Sequence, residues 1–280
     1  MTNWQFTAAV AAAGAGTGFL GALTGLGGGF IVVPLLTLGF GVDLRYAIGA
    51  SLICIIATST CSAARFVRDG FSNIRIGMFL EVATSIGAVL GAWISPALPA
   101  TAIGGLFGAV LLYAAYQTTR RTRDVATAFD APDRLCGMLR LQGAYPAADG
   151  PGTYRPRHVA AGFAVMGIAG MLTGLLGAGS GLVKVIALDQ VMGLPFKVAA
   201  TTSSFMIGVT AAAAAGVHFG RGNIDPAIAM PIALGVLAGT FLGARVLPAA
   251  KPHRLRLLFA AILAAVGVQM IYTSAAGHLG

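Results

Sequence analysis

Several long stretches of this 280-residue chain hold no Asp, Glu, Lys or Arg: 1–42, 46–64, 82–119, 158–183, 198–220, 226–244 and 257–280. A bilayer core of about 30 Å takes about 20 apolar residues at about 1.5 Å rise each. Most of these runs therefore hold one helical span, and 1–42 and 82–119 have room for more. The composition agrees, with 57% hydrophobic residues, 10% charged residues and a mean hydropathy of +0.84, which excludes a water-facing surface. The 40 glycines follow no three-residue period and sit among Ala, Val, Ile and Leu, so they read as helix packing. The expected fold is an all-α polytopic membrane protein.

The charges are bunched. Seven of the eighteen Lys and Arg residues lie between Arg120 and Arg157, together with four Asp. Basic residues between spans mark a cytoplasmic loop, and the segment lacks the regular aromatic interleaving of a single-strand binder, so the net charge of +9 does not call for nucleic acid. Cys54 and Cys61 fall in one predicted helix and Cys136 in the loop, which gives no disulfide framework. The start, Met1 to Phe6, has no basic n-region and reads as part of a retained first span.

The pattern predicts helices over 6–24, 30–40, 47–66, 76–96, 101–119, 158–176, 181–193, 198–219, 226–247 and 254–274: about eight spans plus two short segments, 30–40 and 181–193. Residues 1–119 form a first transmembrane repeat, 120–157 a polar linker, and 158–280 a second repeat of about four helices. The halves correspond in order. Leu23 to Leu26 matches Leu172 to Leu175, Gly27-Gly28-Gly29 falls on Gly177-Ala178-Gly179, Ala47 to Ser51 on Ala199 to Ser203, and Asn73-Ile74 on Asn223-Ile224. Gly91-Ala92 with Pro96 falls on Gly243-Ala244 with Pro248. If the short segments do not cross, the repeats are parallel. If they do, the repeats are inverted, and both orientations stay open.

Duplicated halves in a membrane point to a carrier with a shared central site. Gly25 to Gly29 and Gly174 to Gly181 interrupt apolar runs at matching places, and unwound backbone is tolerated only inside protein or beside a water-filled cavity, where freed N–H groups suit an anion. Spaced pairs such as Gly14/Gly18, Gly87/Gly91 and Gly235/Gly239 are packing glycines. Lys184 is the only charge in its short segment; it either touches an anion or snorkels toward the interface or Asp189. Hydroxyls gather at Ser51 and at Thr201, Thr202, Ser203 and Ser204. Glu81 either relays protons or sits at the interface, and Arg245 reads as a headgroup anchor. His218 reads as a hydrogen-bonded helix end. The binding set is therefore Gly27, Gly28, Gly29, Ser51, Gly177, Gly179, Ser180, Gly181, Lys184, Thr201, Thr202 and Ser203, with no cofactor and no metal.

Leu26 to Leu36 (LGGGFIVVPLL), followed by Ala47 to Leu52 (AIGASL), resembles the opening module of the TauE/SafE family of membrane permeases, the sulfite exporters. The second copy and nearly all of the chain outside 120–157 share the resemblance. It implies a bacterial inner-membrane carrier of about eight helices that moves sulfite, sulfoacetate or related anions, commonly outward. Two departures fall in the second copy: Ala178 breaks the glycine triplet, and Lys184 stands where proline is expected. The expected partners are a small anion and the lipid bilayer, and the oligomeric state is left open. Two other readings compete: a passive anion channel, and an intramembrane serine hydrolase using Ser180 with His218 as base.

Overall fold

The computed structural model describes residues 3–24, 29–68, 72–119, 134–147, 150–177, 180–246 and 252–277. The order is α1 (Asn3–Thr24), α2 (Gly29–Pro34), α3 (Leu44–Arg68), α4 (Ile74–Ile94), α5 (Ala100–Thr119), α6 (Arg134–Met138), β1 (Gly143–Ala147), β2 (Gly150–Tyr154), α7 (Val159–Leu176), α8 (Gly181–Ile186), α9 (Phe196–Gly220), α10 (Pro226–Val246) and α11 (Pro252–Ala275). The helices expected from sequence are all present, and once the π-helical turns after α2 and α8 are included their ends lie within three residues of those predicted. Among the described residues, five stretches, in α4 with the turn after it, α5, α7, α9 and α10, are long and apolar enough to cross a membrane. The short helices continue into π-helical turns, Leu35–Gly39 after α2 and Ala187–Val191 after α8.

Local chemistry sets the helix starts. The Asn73 side chain accepts from the Ile76 N–H at 3.0 Å, and Asp225 accepts from the Ala227 N–H at 2.8 Å. Gly41 and Gly193, at φ +66° and +70°, turn the chain out of the two π-helical turns toward α3 and α9, a conformation that favours glycine. A constant 152 residues separates Gly29 from Gly181, Leu44 from Phe196, Ile74 from Pro226, Ala100 from Pro252 and Gly41 from Gly193.

Glycine brings the helices together. A Cβ on Gly14, Gly18, Gly235 or Gly239 would lie within 3.0 Å of a carbonyl oxygen across the α1–α10 contact, on Ile232, Val236, Ala11 or Ala15 respectively. The same holds across α4–α7, where Gly87, Gly91, Gly170 and Gly174 meet the carbonyls of Gly167, Met171, Thr84 and Ala88. Lipid tails give helices no hydrophobic reason to associate, so this backbone approach supplies the contact.

The pairings fix the direction of each helix. Ala11 meets Gly235 and Ala15 meets Gly239, so α1 and α10 are parallel; Thr84 with Gly170 and Ala88 with Gly174 make α4 and α7 parallel. Gly49 lies against Asn223 and Ser59 donates to the Ser204 carbonyl, so α3 and α9 are antiparallel. In the same sense, Ser274 donates to the Thr101 carbonyl while Gly108 lies against Gly267 in α5 and α11. The start of α3 sits by the start of α10, and the Asn73 N–H before α4 donates to Thr202 near the start of α9 at 3.1 Å. Hence α1, α3 and α10 run one way and α4, α7 and α9 the other. Because α1 and α3 share a direction, the chain between Thr24 and Leu44 travels back. Its eleven helical residues, Gly29–Gly39, cover about 16 Å, about half the hydrocarbon core.

Within 120–157, the described segments 134–147 and 150–157 are folded onto the bundle. Cys136, Leu141 and Tyr154 are buried with Ile76, Leu80, Val159 and Leu194, and β1 pairs antiparallel with β2. The Asn73 amide donates to the Tyr154 hydroxyl at 2.7 Å. Burial pushes the Tyr154 phenol above its ordinary pKa, against the opposing pull of that bond. The polar composition hid this hairpin, since its anchor is a single tyrosine and not a periodic pattern.

Basic residues divide unequally between the two ends of the bundle. Arg65 and Arg68 at the end of α3, Arg75, Arg134, Arg140, Arg155, Arg157, Lys197, Arg245, and Arg254 and Arg256 at the start of α11 lie at the hairpin end. Arg45 and Arg221 lie at the other.

A Gly239→Ala substitution is expected to lower stability by about 1–3 kcal/mol by overpacking α1 against α10. Gly216→Ala, where a Cβ meets nothing within 4 Å, is expected to leave stability unchanged or slightly raised. Unfolding in a detergent titration, followed by circular dichroism, measures both.

Candidate functional site

The two short helices begin at matching depth. Gly29 opens α2 against Ile55, and Gly181 opens α8 against Ile207, each so close that a Cβ would overlap the isoleucine side chain. Ile55 and Ile207 lie near the middle of the 25-residue helices α3 and α9. The chain therefore starts a new helix twice near half-depth of the bundle, in opposite directions. Where α7 ends, Gly177 takes φ +61° and its N–H bonds the Thr173 carbonyl at 2.9 Å. Its carbonyl accepts from Ser51 of α3, one helical turn from Ile55, and a Cβ at this position would overlap Ile48.

Three polar side chains meet inside the bundle beside the second break. Lys184, on the first turn of α8, is 0% exposed, and Glu81 of α4 is 5% exposed. Thr210, buried near the middle of α9, joins them: its hydroxyl donates to Glu81 Oε1 at 2.6 Å and accepts from Lys184 Nζ. Lys184 Nζ stands 4.0 Å from Glu81 Oε2. Ser85, one turn along α4, donates to Glu81 Oε1 at 3.2 Å. Glu81 Oε2 has no hydrogen-bond partner among the described residues. A cation at this depth is tolerated because a carboxylate and a hydroxyl offset its lost hydration. The pair is held loosely on one oxygen.

The sequence-derived residues fall into groups. Ser51 and Gly177 meet across the two halves of the chain, and Ser203 donates to the Gly181 carbonyl at 3.1 Å. Ser180 pairs with Thr173, hydroxyl to hydroxyl, at 2.7 Å. Gly29 and Lys184 are placed as described above. Thr201 bonds the Lys197 carbonyl of its own helix, and Thr202 serves the α4 start, so the run of hydroxyls does not converge on one point. Gly27, Gly28 and Gly179 lie outside the described residues. Glu81 and Thr210 were missed as a pair. The first is the lone acid of its span and carried a signal in that isolation, but nothing in the sequence tied it to a threonine 129 residues away.

Two other residues have structural partners. His218 Nε2 lies 3.0 Å from the Gly174 carbonyl and Nδ1 lies 3.4 Å from the Asn223 amide. With Ser180 bonded to Thr173, the serine and histidine of the hydrolase reading are each engaged elsewhere. Arg245 lies over the Phe241 ring, 4.3 Å from its centroid.

Apolar helices of spanning length around a buried ion pair define a polytopic membrane protein with a polar interior site. The chain belongs to the family described as Sulfite exporter TauE/SafE, whose model matches residues 10–270. It is similar to the probable membrane transporter protein YunE of Bacillus subtilis, 26% identical over 264 residues that cover 91% of this chain and 93% of the relative. A probable membrane transporter protein of Methanocaldococcus jannaschii is 24% identical and covers 91% of both chains. The B. subtilis protein YdhB, described in the same words, is 26% identical over 81% of this chain and 83% of its own length. No solved structure matches. The chain is a multi-pass membrane transporter.

Removing one partner of a buried ion pair strands the other, so Lys184→Met is expected to cost about 3–5 kcal/mol of stability. The double variant Lys184→Met with Glu81→Gln is expected to recover most of it. A double-mutant cycle on the detergent unfolding midpoint measures the coupling.

Proposed function

We propose that this protein is a secondary carrier of small anions, sulfite, organosulfonates or related sulfur oxyanions, that works by alternating access in a bacterial inner membrane. The observation that carries the reading is the Lys184 ammonium, wholly buried on the first turn of the broken helix α8 and held by Thr210 and Glu81. A buried cation beside a helix break is what a dehydrated oxyanion requires, since it offers charge and hydrogen-bond donors where water is excluded. Ser51 and Ser203 support the break from α3 and α9, so a rocking motion of one helix set against the other moves the walls of the site without dismantling it.

The opposed directions of α3 and α9, and of α5 and α11, together with the 152-residue spacing of matched elements, support duplicated halves in inverted orientation. In this reading the short helices belong to a fifth traverse in each half. The crowding of Arg and Lys at the hairpin end supports a cytoplasmic position for that end. The family membership supports the sulfur-anion class.

Purified protein in liposomes is expected to exchange labelled sulfite, thiosulfate or sulfoacetate, and the panel identifies the preferred anion. Lys184→Gln in the Glu81→Gln background, chosen so that no carboxylate is stranded, is expected to lower exchange by at least about tenfold, the loss of one charge-assisted contact of about 1.5–3 kcal/mol. Arg245→Gln is expected to leave it unchanged. Equal rates in the two would remove Lys184 from the site.

A further inference from the structure

Matched elements lie 152 residues apart, so each member of the buried cluster has a counterpart in the other set. Thr210 falls on Thr58, Lys184 on Val32 and Glu81 on Ala233. On these element bounds the counterpart of Lys184 is Val32, not the Pro34 that alignment of the glycine triplets picks. The hydroxyl recurs, whereas the cation and the carboxylate are both replaced by apolar residues that are buried. The charges thus come as a pair on one side only, and each is the compensation of the other.

Among the described residues, the elements packed on α4 bring no other charge to Glu81: the 134–157 segment contributes Tyr154, bonded to Asn73, and Arg140, whose carbonyl takes Arg75, both at the start of α4. Helix α7 holds no titratable residue between Val159 and Leu176. Helix α9 contributes Lys197 at its exposed start and His218, which is bonded to Gly174 and Asn223. Lys184 from α8 is the charge that Glu81 faces. The second oxygen of that carboxylate, Oε2, is buried without a hydrogen-bond partner among the described residues, so the group has capacity to take a proton.

We infer that Glu81 is the proton-coupling residue of this carrier: an anion that takes the Lys184 ammonium displaces the Glu81 carboxylate, which is neutralised by a proton from the entry side, so proton and anion cross together. The inference rests on the anion-carrier reading. Charge balances at each stage. With the site empty, Lys184 and Glu81 neutralise each other. With an anion of single charge bound, the anion neutralises Lys184, and the proton on Glu81 Oε2 removes the second negative charge. On release at the far side the anion leaves, the carboxyl gives its proton to water there, and the Lys184–Thr210–Glu81 contact re-forms for the return. A carboxylate left charged beside the bound anion would put two negative charges on one cation at membrane depth, the arrangement that burial disfavours most. Thr210 positions both partners and changes no charge.

One consequence is directional. A proton that accompanies the anion lets an inward proton gradient drive uptake, and outward movement then depends on the anion's own gradient.

The test uses the full chain in liposomes with an entrapped pH dye and ³⁵S-labelled sulfite, thiosulfate and isethionate, at clamped zero potential. The exchange assay without a pH gradient reads the carrier itself. Wild-type protein is expected to exchange at least one anion, to acidify the lumen when that anion enters, and to accumulate isethionate up to about tenfold under a one-unit inward pH gradient if isethionate is the anion exchanged. Glu81→Gln, which mimics the protonated carboxyl, leaves the Lys184 ammonium without its carboxylate and is expected to slow exchange; the exchange that it retains is expected to move no protons and to give neither acidification nor accumulation under a pH gradient. Exchange in the wild type with no proton movement overturns the coupling and leaves the carrier standing. Loss of exchange in Glu81→Gln, unrestored by Glu81→Asp, assigns Glu81 a purely structural role and also overturns it. Absence of exchange for every anion overturns the carrier reading, and the coupling with it.

Discussion

The hydrocarbon core of a bilayer offers no water, so every polar group there must find its partner in the protein. The rest of this structure follows from that constraint. Backbone groups meet it by helix formation. The two places where helices start afresh near half-depth, at Gly29 and Gly181, are enclosed by α3 and α9. Side chains meet it locally where they can, as Thr58 does on the Cys54 carbonyl and Thr84 on the Glu81 carbonyl. Lys184 has no such local outlet, and its solution is a carboxylate and a hydroxyl drawn from two other helices.

The same constraint explains the packing. Helices that gain nothing from hiding apolar surface need close approach, and the α1–α10 and α4–α7 contacts achieve it with glycines whose backbones touch the partner's carbonyls. The exposed side of α4 is a different surface: Met78, Val82, Ile86, Leu90 and Trp93 face outward, as lipid-facing residues do. One helix thus carries glycine toward α7, large apolar residues toward lipid and, between them, a single carboxylate toward the centre.

In the proposed carrier such a cluster is economical in chemistry: the ammonium supplies charge to an anion, the threonine fixes its direction, and the carboxylate balances the ammonium when no anion is bound. The absence of both charges from the positions 152 residues away, Val32 and Ala233, leaves the two sets of helices unequal in charge, although most of their boundaries coincide after that constant shift.

The helices were legible in the sequence because charge-free runs of spanning length have almost no other use, and glycines four apart announced the close contacts. The two breaks were legible as well, since adjacent glycines in an apolar run forfeit helix propensity for a reason. The docked hairpin was not, because Tyr154 and Leu141 are buried by distant partners and follow no local period. Nor could the sequence decide whether Glu81 lies at an interface or beneath it, or that α3 and α9 oppose each other. Periodicity and charge report what one segment requires of its surroundings. Which segments meet that requirement depends on contacts between residues more than a hundred positions apart, such as Glu81 with Thr210 and Ser51 with Gly177, and those exist only once the helices have packed.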